Sequence, residues 1–504
     1  MCFFINSRQT IFPGKIKVKK PYPKLLKMPL AISLPTSSFS HFFPRRRGHT
    51  NLRCKRFHGA RSTLEEPYDR KNQTGVIIIG AGLAGLAAAT RLNSERIPFL
   101  LLEASDGVGG RVRTDIVDGF FLDRGFQIFI TAYPEAKKLL DYEALDLQRF
   151  YAGAKVFYGG KFHTVADPLR HFWDSVASLT NPIGSVVDKG LIALTRARVL
   201  IKSDEEILTA ADEVTTIDLL RKIGFSEAIL DRFFRPFFGG IFFDRDLETT
   251  SKLFDFIFRC LALGENTLPA MGIGEIPNQL AEKLPASSVL FNTRVASIEY
   301  PNGSDSDPPS VRLQDGGVLK AKLGVIVAVE QQEADKLLEE IREPVMTKPA
   351  RSTICVYFTA EPNQIPVQDP VLFLNGSSTG IINNMFFATN VARTYAPPGK
   401  ALVSVSLIGS FEDRSDDYLA AEVLRELSGW FSESSVMSWK HLKTYRIKFA
   451  QPNQCPPTDL VKSPRVGSGL YLCGDYMTSA TFDGALVSGR RAVEVLLREK
   501  GQIK

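Results

Sequence analysis

Short apolar runs next to glycine-rich turns form the main hydrophobic pattern of the chain beyond about residue 74. Residues 76–79 and 99–102 are such runs, and uniformly apolar stretches of this length are typical of parallel strands buried on both faces. Residues 324–329 predict a further buried strand. Residues 292–299 alternate polar and apolar side chains, which indicates a half-buried strand. The first two runs, with a turn and a helical segment between them, predict a β-α-β unit.

The turn after the first run has the sequence Gly80-Ala81-Gly82-Leu83-Ala84-Gly85. Gly80 allows a tight turn, Gly82 lets the backbone approach a pyrophosphate, and Gly85 lets the following helix pack against the strand. The helix is predicted to begin near Leu83, so that the amides of Leu83 and Ala84 face the phosphates. This turn therefore predicts a dinucleotide-binding site.

Glu103 ends the second run, 18 positions after Gly85. An acidic residue at this point of a dinucleotide-binding unit accepts hydrogen bonds from the adenosine ribose. A glycine-rich turn before an ordinary helix is the alternative, but it does not account for the strand, the helix and the terminal acid together. We therefore interpret residues 75–114 as the first half of a dinucleotide site.

Residues 107–114, Gly-Val-Gly-Gly-Arg-Val-Arg-Thr, follow this acid with a glycine doublet and an arginine. They resemble the motif after the second strand in the superfamily of flavin-containing amine oxidases, carotenoid (phytoene) desaturases and protoporphyrinogen oxidases. The resemblance implies that the cofactor is FAD, with Gly110 in the doublet and Arg111 touching the pyrophosphate. Taken alone, these residues would be read as a solvated glycine-rich loop.

The C-terminal part resembles the second FAD motif of the same superfamily. A short apolar run ends in Gly474 and Asp475, and a helix is predicted to open near Gly484 and Ala485. The resemblance places Asp475 near the ribityl and pyrophosphate groups, and it places Gly484 and Ala485 against the isoalloxazine. A helix or turn cap is the alternative role for Asp475.

Further segments fit the superfamily in the same order. Residues 268–281 resemble a segment that opens a helix near the flavin, and Val295 stands at the position whose backbone receives the adenine. Residues 445–452 resemble a strand that ends in Ala-x-Pro close to the isoalloxazine. The sheet expected to roof the flavin contains predicted strands at 352–359 and 401–408 and a predicted helix at 419–430.

The resemblance covers nearly the whole chain after about residue 74 and implies an α/β fold. It implies a Rossmann-like FAD-binding domain of the glutathione-reductase type, with an α+β substrate-binding domain inserted discontinuously. The predicted FAD-binding segments are 70–145, 262–335 and 465–504, and the predicted substrate-binding segments are 146–261 and 336–464.

Residues 233–247 form the densest aromatic cluster of the chain. They resemble an element of desaturases and protoporphyrinogen oxidases, although Arg245 stands where that pattern has proline. An aromatic wall beside a flavin suits a flat or polyenic apolar substrate, and an ordinary hydrophobic core is the alternative.

Residues 185–202 mix apolar and basic side chains with helical spacing. A basic amphipathic helix of this kind can lie on an anionic membrane surface. Because apolar stripes usually face a core, a helix that covers the protein's own substrate cavity is the preferred alternative.

Charge separates the first 64 residues from the rest of the chain. They hold 14 Lys or Arg and no Asp or Glu, which leaves 48 basic and 55 acidic residues in the remainder. A basic, acid-free segment with serine and proline after Met28 is typical of an organellar transit peptide. We expect residues 1–64 to be disordered and to direct the protein to the chloroplast, with the mitochondrion as the alternative. The acidic remainder argues against a nucleic-acid partner.

Cysteines and histidines suggest no further chemistry. The six cysteines and six histidines show no metal-binding spacing, so we predict no metal site. Cys455 lies in the general region of covalent flavin attachment, but the attachment motif is absent, so FAD is expected to be non-covalent. Because one dinucleotide fingerprint is present, we expect oxygen or a quinone to reoxidise the flavin.

The sequence thus predicts an FAD-dependent oxidoreductase that acts on a lipophilic plastid substrate by hydride transfer to flavin N5, like a desaturase, oxidase or isomerase. An amine oxidase that produces hydrogen peroxide is one alternative. A flavin-bearing assembly or regulatory protein with little turnover is another. Peripheral contact with a membrane also remains open, and no catalytic side chain is predicted.

Overall fold

Two large β-sheets, with helices packed on them, build the protein. The computed structural model describes residues 73–167, 170–171, 180–300, 308–342 and 348–502. The predicted transit peptide at residues 1–64 lies outside the described residues.

The strands, numbered in chain order, have the following bounds: β1 Gln73–Ile79, β2 Phe99–Leu102, β3 Thr114–Val117, β4 Phe120–Asp123, β5 Phe129–Ile130, β6 Leu147–Arg149, β7 Gly153–Tyr158, β8 Lys161–Ala166, β9 Asn266–Pro269, β10 Val289–Leu290, β11 Val295–Glu299, β12 Ser310–Leu313, β13 Val318–Val327, β14 Arg351–Ala360, β15 Leu372–Asn375, β16 Ile382–Phe387, β17 Ala401–Ile408, β18 Lys440–Gln451, β19 Arg465–Gly467 and β20 Leu470–Leu472.

The α-helices of the described residues are α1 Leu83–Ser94, α2 Pro134–Leu139, α3 Val186–Leu200, α4 Asp204–Leu208, α5 Thr216–Ile223, α6 Glu227–Ile229, α7 Arg235–Phe242, α8 Ser251–Leu263, α9 Glu275–Glu282, α10 Gln331–Leu337, α11 Ala388–Val391, α12 Asp416–Trp430, α13 Glu433–Val436 and α14 Phe482–Glu499. A π-helix at Leu230–Phe234 runs directly into α7. Short 3-10 helices occupy Ala286–Ser288, Pro362–Gln364, Arg393–Tyr395 and Asp475–Met477.

Eight strands form the first sheet, in the order β10-β2-β1-β13-β12-β11, with β20 paired to β13 and β19 paired to β20. β1 runs parallel to β2 and β13, and β20 runs parallel to β13. Ile79 is paired in register with Leu102 of β2 and Val327 of β13, and Val327 is paired in register with Leu472 of β20. The carboxyl ends of four parallel strands therefore meet at one edge, where ligands bind in open α/β sheets.

The apolar runs form the central strands of this sheet, where their side chains are buried on both faces. Val76, Ile77 and Ile78 have no exposed surface. Val76 and Ile78 pack on one face with α1 and α14, whereas Ile77 and Ile79 pack on the opposite face with β11, β12 and the residues around α10. The predicted buried strands and the half-buried strand of residues 292–299 are confirmed, the latter as β11.

Helices α1 and α14 cross at close range beneath the carboxyl edge of the first sheet. A Cβ atom at Gly489 of α14 would overlap the carbonyl oxygen of Ala84 on α1. Glycine at this position therefore lets the two backbones touch. The contact fixes the start of the helix predicted near Gly484 against the start of the helix predicted near Leu83.

The second sheet has seven strands in the order β18-β14-β17-β16-β15-β7-β8, antiparallel except for the parallel pair β15–β7. On one face, side chains such as Ile354 and Val356 pack against α12. On the other face, Cys355 and Tyr357 pack with residues of β4 and β9. This sheet confirms the strands predicted at 352–359 and 401–408 and the helix predicted at 419–430. Two smaller sheets are formed by β3–β4 and by β5–β9–β6.

Helix α3 confirms the helix predicted within residues 185–202. Ser185 caps it, since its side chain accepts a hydrogen bond from the amide of Asp188 in a capping box. The inner face carries Thr195 and Val199, which are buried, while the outer face exposes apolar side chains to solvent. The exposed apolar side chains of this helix and its C-cap are Val186, Val187, Leu194 and Ile201.

None of the helices in the described part of the chain combines the length and apolar character that a bilayer-spanning segment requires.

Candidate functional site

A cavity of about 500 Å³ lies where the carboxyl edge of the first sheet meets the second sheet and helices α7 and α8. Its lining includes ten of the thirteen residues proposed for cofactor binding: Gly80, Gly82, Leu83, Ala84, Glu103, Gly110, Arg111, Gly474, Asp475 and Ala485. Residues far apart in the sequence therefore converge on one space.

The glycine-rich turn after β1 has the geometry that its sequence predicts. Gly80 has a φ of +100°, and its amide donates to the carbonyl of Leu102 at 2.7 Å. Gly82 lines the cavity with open space on its Cβ side, since no atom lies within 4 Å of that position. Gly85 does not line the cavity but lies against the carbonyl oxygen of Gly80, so that α1 packs closely on the turn.

Glu103 is held in place at the end of β2. Its Oε2 accepts a hydrogen bond from the amide of Ala81 at 2.8 Å. Its Oε1 accepts from the amide and the hydroxyl of Ser105 at 2.8 and 2.7 Å. The carboxylate therefore has a fixed orientation at the cavity wall.

The glycine doublet lies beside the first turn. The amide of Gly109 donates to the carbonyl of Ala81 at 2.8 Å. Gly110 has a φ of +57°, and a Cβ on it would be 3.5 Å from the Cα of Gly82. Because Gly82 and Gly110 have no side chains, a space remains between their backbones. We call this space the Gly82–Gly110 cradle.

Arg111 connects the doublet to the C-terminal motif. Its Nη2 donates to Oδ1 of Asp475 at 2.8 Å, and its Nη1 donates to the carbonyl of Ala450 at 3.0 Å. The guanidinium also lies 5.2 Å from the ring centroid of Phe449. The side-chain hydrogen bond of Asp475 is therefore made with Arg111 across the cavity edge, which favours the role in the FAD site over the capping alternative.

The C-terminal helix α14 begins at Phe482, two residues before Gly484, near which the helix was predicted to open. Ala485 lines the cavity. Gly484 lies behind it, with its amide bonded to the hydroxyl of Thr481 at 2.9 Å and a Cβ position that would overlap the carbonyl of Ser479. Gly484 therefore shapes the helix start rather than the wall itself.

Val295 is not part of the cavity lining. It lies on β11 just after a loop in which the amide of Thr293 donates to the carbonyl of Glu103 at 2.8 Å. The strand thus starts beside Glu103, and the proposed adenine contact of Val295 stays a prediction.

The segment 268–281 forms β9 and α9 but contributes no residue to the cavity lining. It is tied instead to Asp123, whose Oδ1 accepts from the amide of Ile273 at 2.9 Å and from the hydroxyl of Thr114 at 2.6 Å. The hydroxyl of Tyr395 donates to Oδ2 at 2.9 Å. Burial raises the pKa of Asp123 to about 6, although these hydrogen bonds oppose the shift.

Sequence reasoning did not select several lining residues: Arg124, Gly125, Phe126, Gln127, Glu330, Thr353 and Asn384. Glu330 lies three residues after the carboxyl end of β13. Since ligands bind at this edge of such sheets, its position in the sequence could have predicted a place in the cavity. Burial raises its pKa, and Arg111 opposes the rise. Arg124 is bound by Asp115, at 3.0 Å from Nε and 2.8 Å from Nη2. Thr353 and Asn384 carry no sequence signal of this kind.

The aromatic cluster of residues 233–247 contributes to the hydrophobic core and also to the cavity wall. Phe234 and Phe238 are buried in the core around α8, whereas Phe237 and Phe243 line the cavity. Arg245, the departure from the family pattern, donates to the carbonyl of Ile381 at 3.0 Å and so anchors the end of this element to the start of β16. The cluster is a core on one side and a cavity wall on the other.

No residue of α3 lines the main cavity. The helix packs on α8, whose Ile257 and Leu261 do line it, so α3 supports this wall from behind. The apolar side chains of α3 are thus divided, since Val199 is buried and Leu191 and Ile192 pack against the core, whereas Val186, Val187 and Leu194 are exposed to solvent.

A second cavity of about 370 Å³ adjoins the first, since Leu261 and Asn266 line both. Arg149 lines the second cavity and pairs with Glu265 at 3.0 Å, and its side chain is 70 % exposed. The second cavity therefore lies between the end of α8 and the exposed side chain of Arg149.

The residues present fit FAD. The Gly82–Gly110 cradle has space for a pyrophosphate, the start of α1 presents free amides to it, and Arg111 adds a cation. Glu103 offers a fixed carboxylate for a ribose, and Ala485 adds a small side chain to the cavity lining at the start of α14.

Comparisons with known proteins agree with this geometry. The family model described as flavin containing amine oxidoreductase matches residues 83–497. The chain is 22% identical over 474 residues to a 15-cis-phytoene desaturase of Solanum lycopersicum, covering 84% of this chain and 78% of that protein. It is 28% identical over 172 residues to protoporphyrinogen oxidase 2 of Arabidopsis thaliana, covering 33% of this chain and 32% of that protein.

Among solved structures, putrescine oxidase bound to putrescine superposes with a TM-score of 0.63 at 18% identity, covering 84% of this chain and 99% of that chain. This likeness confirms the predicted α/β fold with a Rossmann-like FAD-binding sheet. The chain is an FAD-dependent oxidoreductase and belongs to the family of flavin-containing amine oxidoreductases.

Proposed function

We propose that this oxidoreductase is a desaturase, oxidase or isomerase of a plastid. It would remove hydride from a lipophilic substrate that lies against the aromatic wall, which Phe237, Phe242 and Phe243 form in the cavity. The observation that carries the proposal is the composition of the cavity lining. Its first-sheet part contains the glycines and the charged side chains Glu103, Arg111 and Asp475 beside small and apolar residues, whereas its α7 and α8 part, apart from Gly240, is apolar: Phe237, Ile241, Phe242, Ile257 and Leu261.

FAD would be held without a covalent bond. Gly82, Gly110 and Arg111 would hold its pyrophosphate, Glu103 its adenosine ribose and Asp475 its ribityl chain. None of the four cysteines in the described part of the chain lines the cavity, and Cys455 is bound by Arg351 at 3.3 Å. Bound FAD supplies a two-electron acceptor that takes a hydride at N5.

The chain's own contribution is position and exclusion of water. Phe243 is held in the left-handed region with a φ of +49°, a costly backbone for a bulky residue. Its position at the end of α7 turns its ring into the lining. Such apolar walls orient a flat or polyenic substrate and keep water away from the site of hydride loss.

Plastid location and membrane contact complete the proposal. The acid-free basic segment of residues 1–64 supports import into a chloroplast. Of the relatives named above, the phytoene desaturase is described as chloroplastic or chromoplastic and the protoporphyrinogen oxidase as chloroplastic or mitochondrial. The exposed apolar side chains of α3 support peripheral contact with a bilayer, from which a lipophilic substrate would enter. Arg196 and Arg198 of this helix bind Asp167 and Asp255, so the contact would be mainly apolar.

The sheets support the proposed domain division. The first sheet uses strands from segments 70–145, 262–335 and 465–504, and the second uses strands from 146–261 and 336–464. The small sheet β5–β9–β6 joins both sets, because β6 at Leu147–Arg149 pairs with β9.

Anaerobic photoreduction of the purified protein tests the function. The reduced protein is mixed in separate experiments with oxygen and with a short-chain plastoquinone, and recovery of the flavin absorbance is timed. The oxidised protein is then incubated with plastid lipid extract, and products that have lost two hydrogen atoms are sought by mass spectrometry.

The proposal expects reoxidation by one of the two acceptors and flavin reduction by a component of the lipid extract. Rapid reduction by polyamines or aromatic amines, with release of hydrogen peroxide, would instead support the amine oxidase alternative. A flavin that no lipid or amine reduces would support the assembly or regulatory alternative.

A further inference from the structure

Glu330 differs from the other charged residues that line the main cavity, because its carboxyl group has no partner. The charged lining residues are Glu103, Arg111, Arg124, Glu330 and Asp475. The other four make hydrogen bonds or ion pairs within the protein. Among the residues that the structure describes, none forms a hydrogen bond or an ion pair with the carboxyl group of Glu330.

Both carboxyl oxygens of Glu330 are accessible. The residue is half-buried, and neither oxygen is among the fully buried polar atoms without a partner in the described part of the chain. Since neither oxygen has a partner, each must keep some accessible surface. The carboxyl group is therefore open to water and to a molecule that enters the cavity.

The helix that follows Glu330 does not use its side chain. Glu330 is the N-cap residue of α10, and its carbonyl oxygen accepts a hydrogen bond from the amide of Ala334 at 2.9 Å. Its side chain makes no capping hydrogen bond. N-cap positions favour Ser, Thr, Asp and Asn, whose short side chains reach the free amides of the first turn. Helix capping therefore does not explain a glutamate at this position.

The segment that ends in Glu330 lies between the two halves of the FAD site. On one side, a Cβ atom on Gly80 would be 2.8 Å from the carbonyl oxygen of Ala328. On the other side, the hydroxyl of Tyr476 donates to the carbonyl of Val329 at 3.3 Å. Glu330 thus follows directly on a segment that contacts both the glycine-rich turn and the C-terminal motif.

An ionised Glu330 would oppose the binding of a pyrophosphate at this place. Arg111 and Asp475 bind each other at 2.8 Å, so the pair carries no net charge. The carboxylate of Glu330 would add a negative charge beside the pyrophosphate, which is a dianion. Like charges that share a site favour protonation of a carboxyl group, because its ionised form is repelled.

The protein surroundings of Glu330 act in the same direction. Burial raises the pKa of Glu330, and Arg111 opposes this rise. Glu333 of α10 and Asp475 raise the pKa further, whereas Lys336 of α10 lowers it. Glu333 and Lys336 bind each other at 2.6 Å, so their effects on Glu330 oppose each other. A bound pyrophosphate would add to the effect of burial.

We propose that Glu330 binds FAD in its protonated form and donates a hydrogen bond from its carboxyl group to a pyrophosphate oxygen. The proton comes from the solvent when FAD binds. FAD affinity then falls as the pH rises, because the ionised carboxyl group must first take up a proton. This inference rests on the proposed placement of the pyrophosphate at Gly82, Gly110 and Arg111.

Titration of the full-length apoprotein with FAD at about pH 6, pH 7 and pH 8, followed by flavin fluorescence quenching, tests the proposal. We expect the dissociation constant of the wild type to rise by about tenfold or more over this range. Calorimetric titrations at about pH 7, in buffers of different ionisation enthalpy, should show that FAD binding takes up a proton. Glu330→Gln should remove both the pH dependence and the proton uptake.

Glu330→Gln and Glu330→Leu together separate the charge from the hydrogen bond. Glu330→Gln keeps an N–H donor, so at pH 8 it should bind FAD more tightly than the wild type does. Glu330→Leu loses the donor as well as the charge, and it should bind FAD about fivefold or more weakly than Glu330→Gln at every pH. Glu333→Gln is the matched control, since Glu333 does not line the cavity, and it should keep the pH dependence of the wild type.

Several results would overturn the proposal. Wild-type affinity that is independent of pH, or proton uptake that persists in Glu330→Gln, would show that Glu330 does not hold the proton. Weaker binding by Glu330→Gln than by the wild type at pH 8 would show that the ionised carboxyl group accepts a hydrogen bond from a cofactor hydroxyl. Equal affinities of Glu330→Gln and Glu330→Leu would exclude the hydrogen bond to the pyrophosphate.

Arg111→Gln distinguishes failure of this inference from failure of the pyrophosphate placement. This substitution should weaken FAD binding at every pH. Unchanged affinity in Arg111→Gln would contradict the placement, and the inference would fall with it. Weaker binding by Arg111→Gln, together with a wild type that shows no pH dependence, would leave the placement standing and remove only the role of Glu330. These measurements need no turnover, so they do not depend on the substrate.

Discussion

Nη2 of Arg111 lies 2.8 Å from Oδ1 of Asp475, although 364 positions separate the two residues in the chain. The pair joins the motif after β2 to the motif after β20 at the edge of one parallel sheet. Asp475 is nearly buried, with 8% of its side chain exposed, whereas a third of the Arg111 side chain faces the cavity. Arg111 is thereby oriented by Asp475 while it remains available to a bound anion.

Replacement of Asp475 by asparagine should weaken FAD binding by about tenfold or more, because Arg111 loses the carboxylate that orients it. Titration of the apoprotein with FAD, followed by flavin fluorescence quenching, measures the change. Glu227→Gln, which disrupts the exposed pair Arg221–Glu227, is the control and should leave the affinity unchanged. Unaltered affinity in Asp475→Asn would contradict the assignment of this pair to the cofactor site.

Gly82→Val should abolish the yellow colour of the purified protein while leaving the apoprotein folded. The position has open space and a φ of −71°, so valine fits the chain but fills the pyrophosphate cradle. Gly85→Ala should instead reduce the melting temperature, because its Cβ would overlap the carbonyl of Gly80. Retention of flavin by soluble Gly82→Val would refute the predicted role of the turn.

Cys455→Ser should retain the flavin in full, because Cys455 does not line the cavity. Acid precipitation of the wild-type protein should release all of the flavin into the supernatant. Flavin that stays with the precipitated wild type, and is released from Cys455→Ser, would contradict non-covalent binding.

Asp123 should make the protein less stable as the pH rises from about 4 to about 6. Burial raises the pKa of Asp123 from 3.8 to about 6, so in this window the folded protein keeps a proton that the unfolded chain has lost. The difference between the two pKa values corresponds to about 3 kcal/mol of unfolding free energy. Asp123→Asn does not titrate, and its stability relative to wild type should therefore improve by that order between pH 4 and pH 7.

Urea unfolding at a series of pH values measures this effect. Asp118→Asn, on the exposed turn between β3 and β4, is the control and should follow the pH dependence of the wild type. Parallel pH profiles of Asp123→Asn and the wild type would show that the buried carboxyl does not titrate in this window.

A double variant Leu194→Asp and Ile201→Asp should reduce binding to anionic vesicles by at least about tenfold, because two apolar side chains leave the interface. Leu194 and Ile201 are 66% and 83% exposed. Co-sedimentation with vesicles of phosphatidylglycerol and galactolipid measures the bound fraction. Met437→Asp, at an exposed apolar residue on another part of the surface, is the control. Equal binding of the double variant and the wild type would exclude α3 as the membrane contact.

Local sequence determined the cofactor half of the cavity to a large extent. Gly80 and Gly85 are required by backbone conformation and close approach, and Glu103 ends a strand whose burial is visible as an apolar run. Such constraints act within a few residues, so they leave a readable pattern. Apolar runs predicted β1, β2, β13 and β20 of the first sheet, and sequence pattern predicted β14, β17 and α12 around the second sheet, whereas strands such as β7, β12 and β16 were not predicted.

The tertiary structure alone decided the substrate half and the outward face of α3. Thr353 and Asn384 reach the cavity because the second sheet meets α7, and their neighbours along the chain contain no sign of this contact. Helical spacing predicted α3, but which of its apolar side chains would be buried depended on α8, which contacts one side only. Periodicity reports the shape of a segment, whereas burial depends on surfaces that distant segments bring to it.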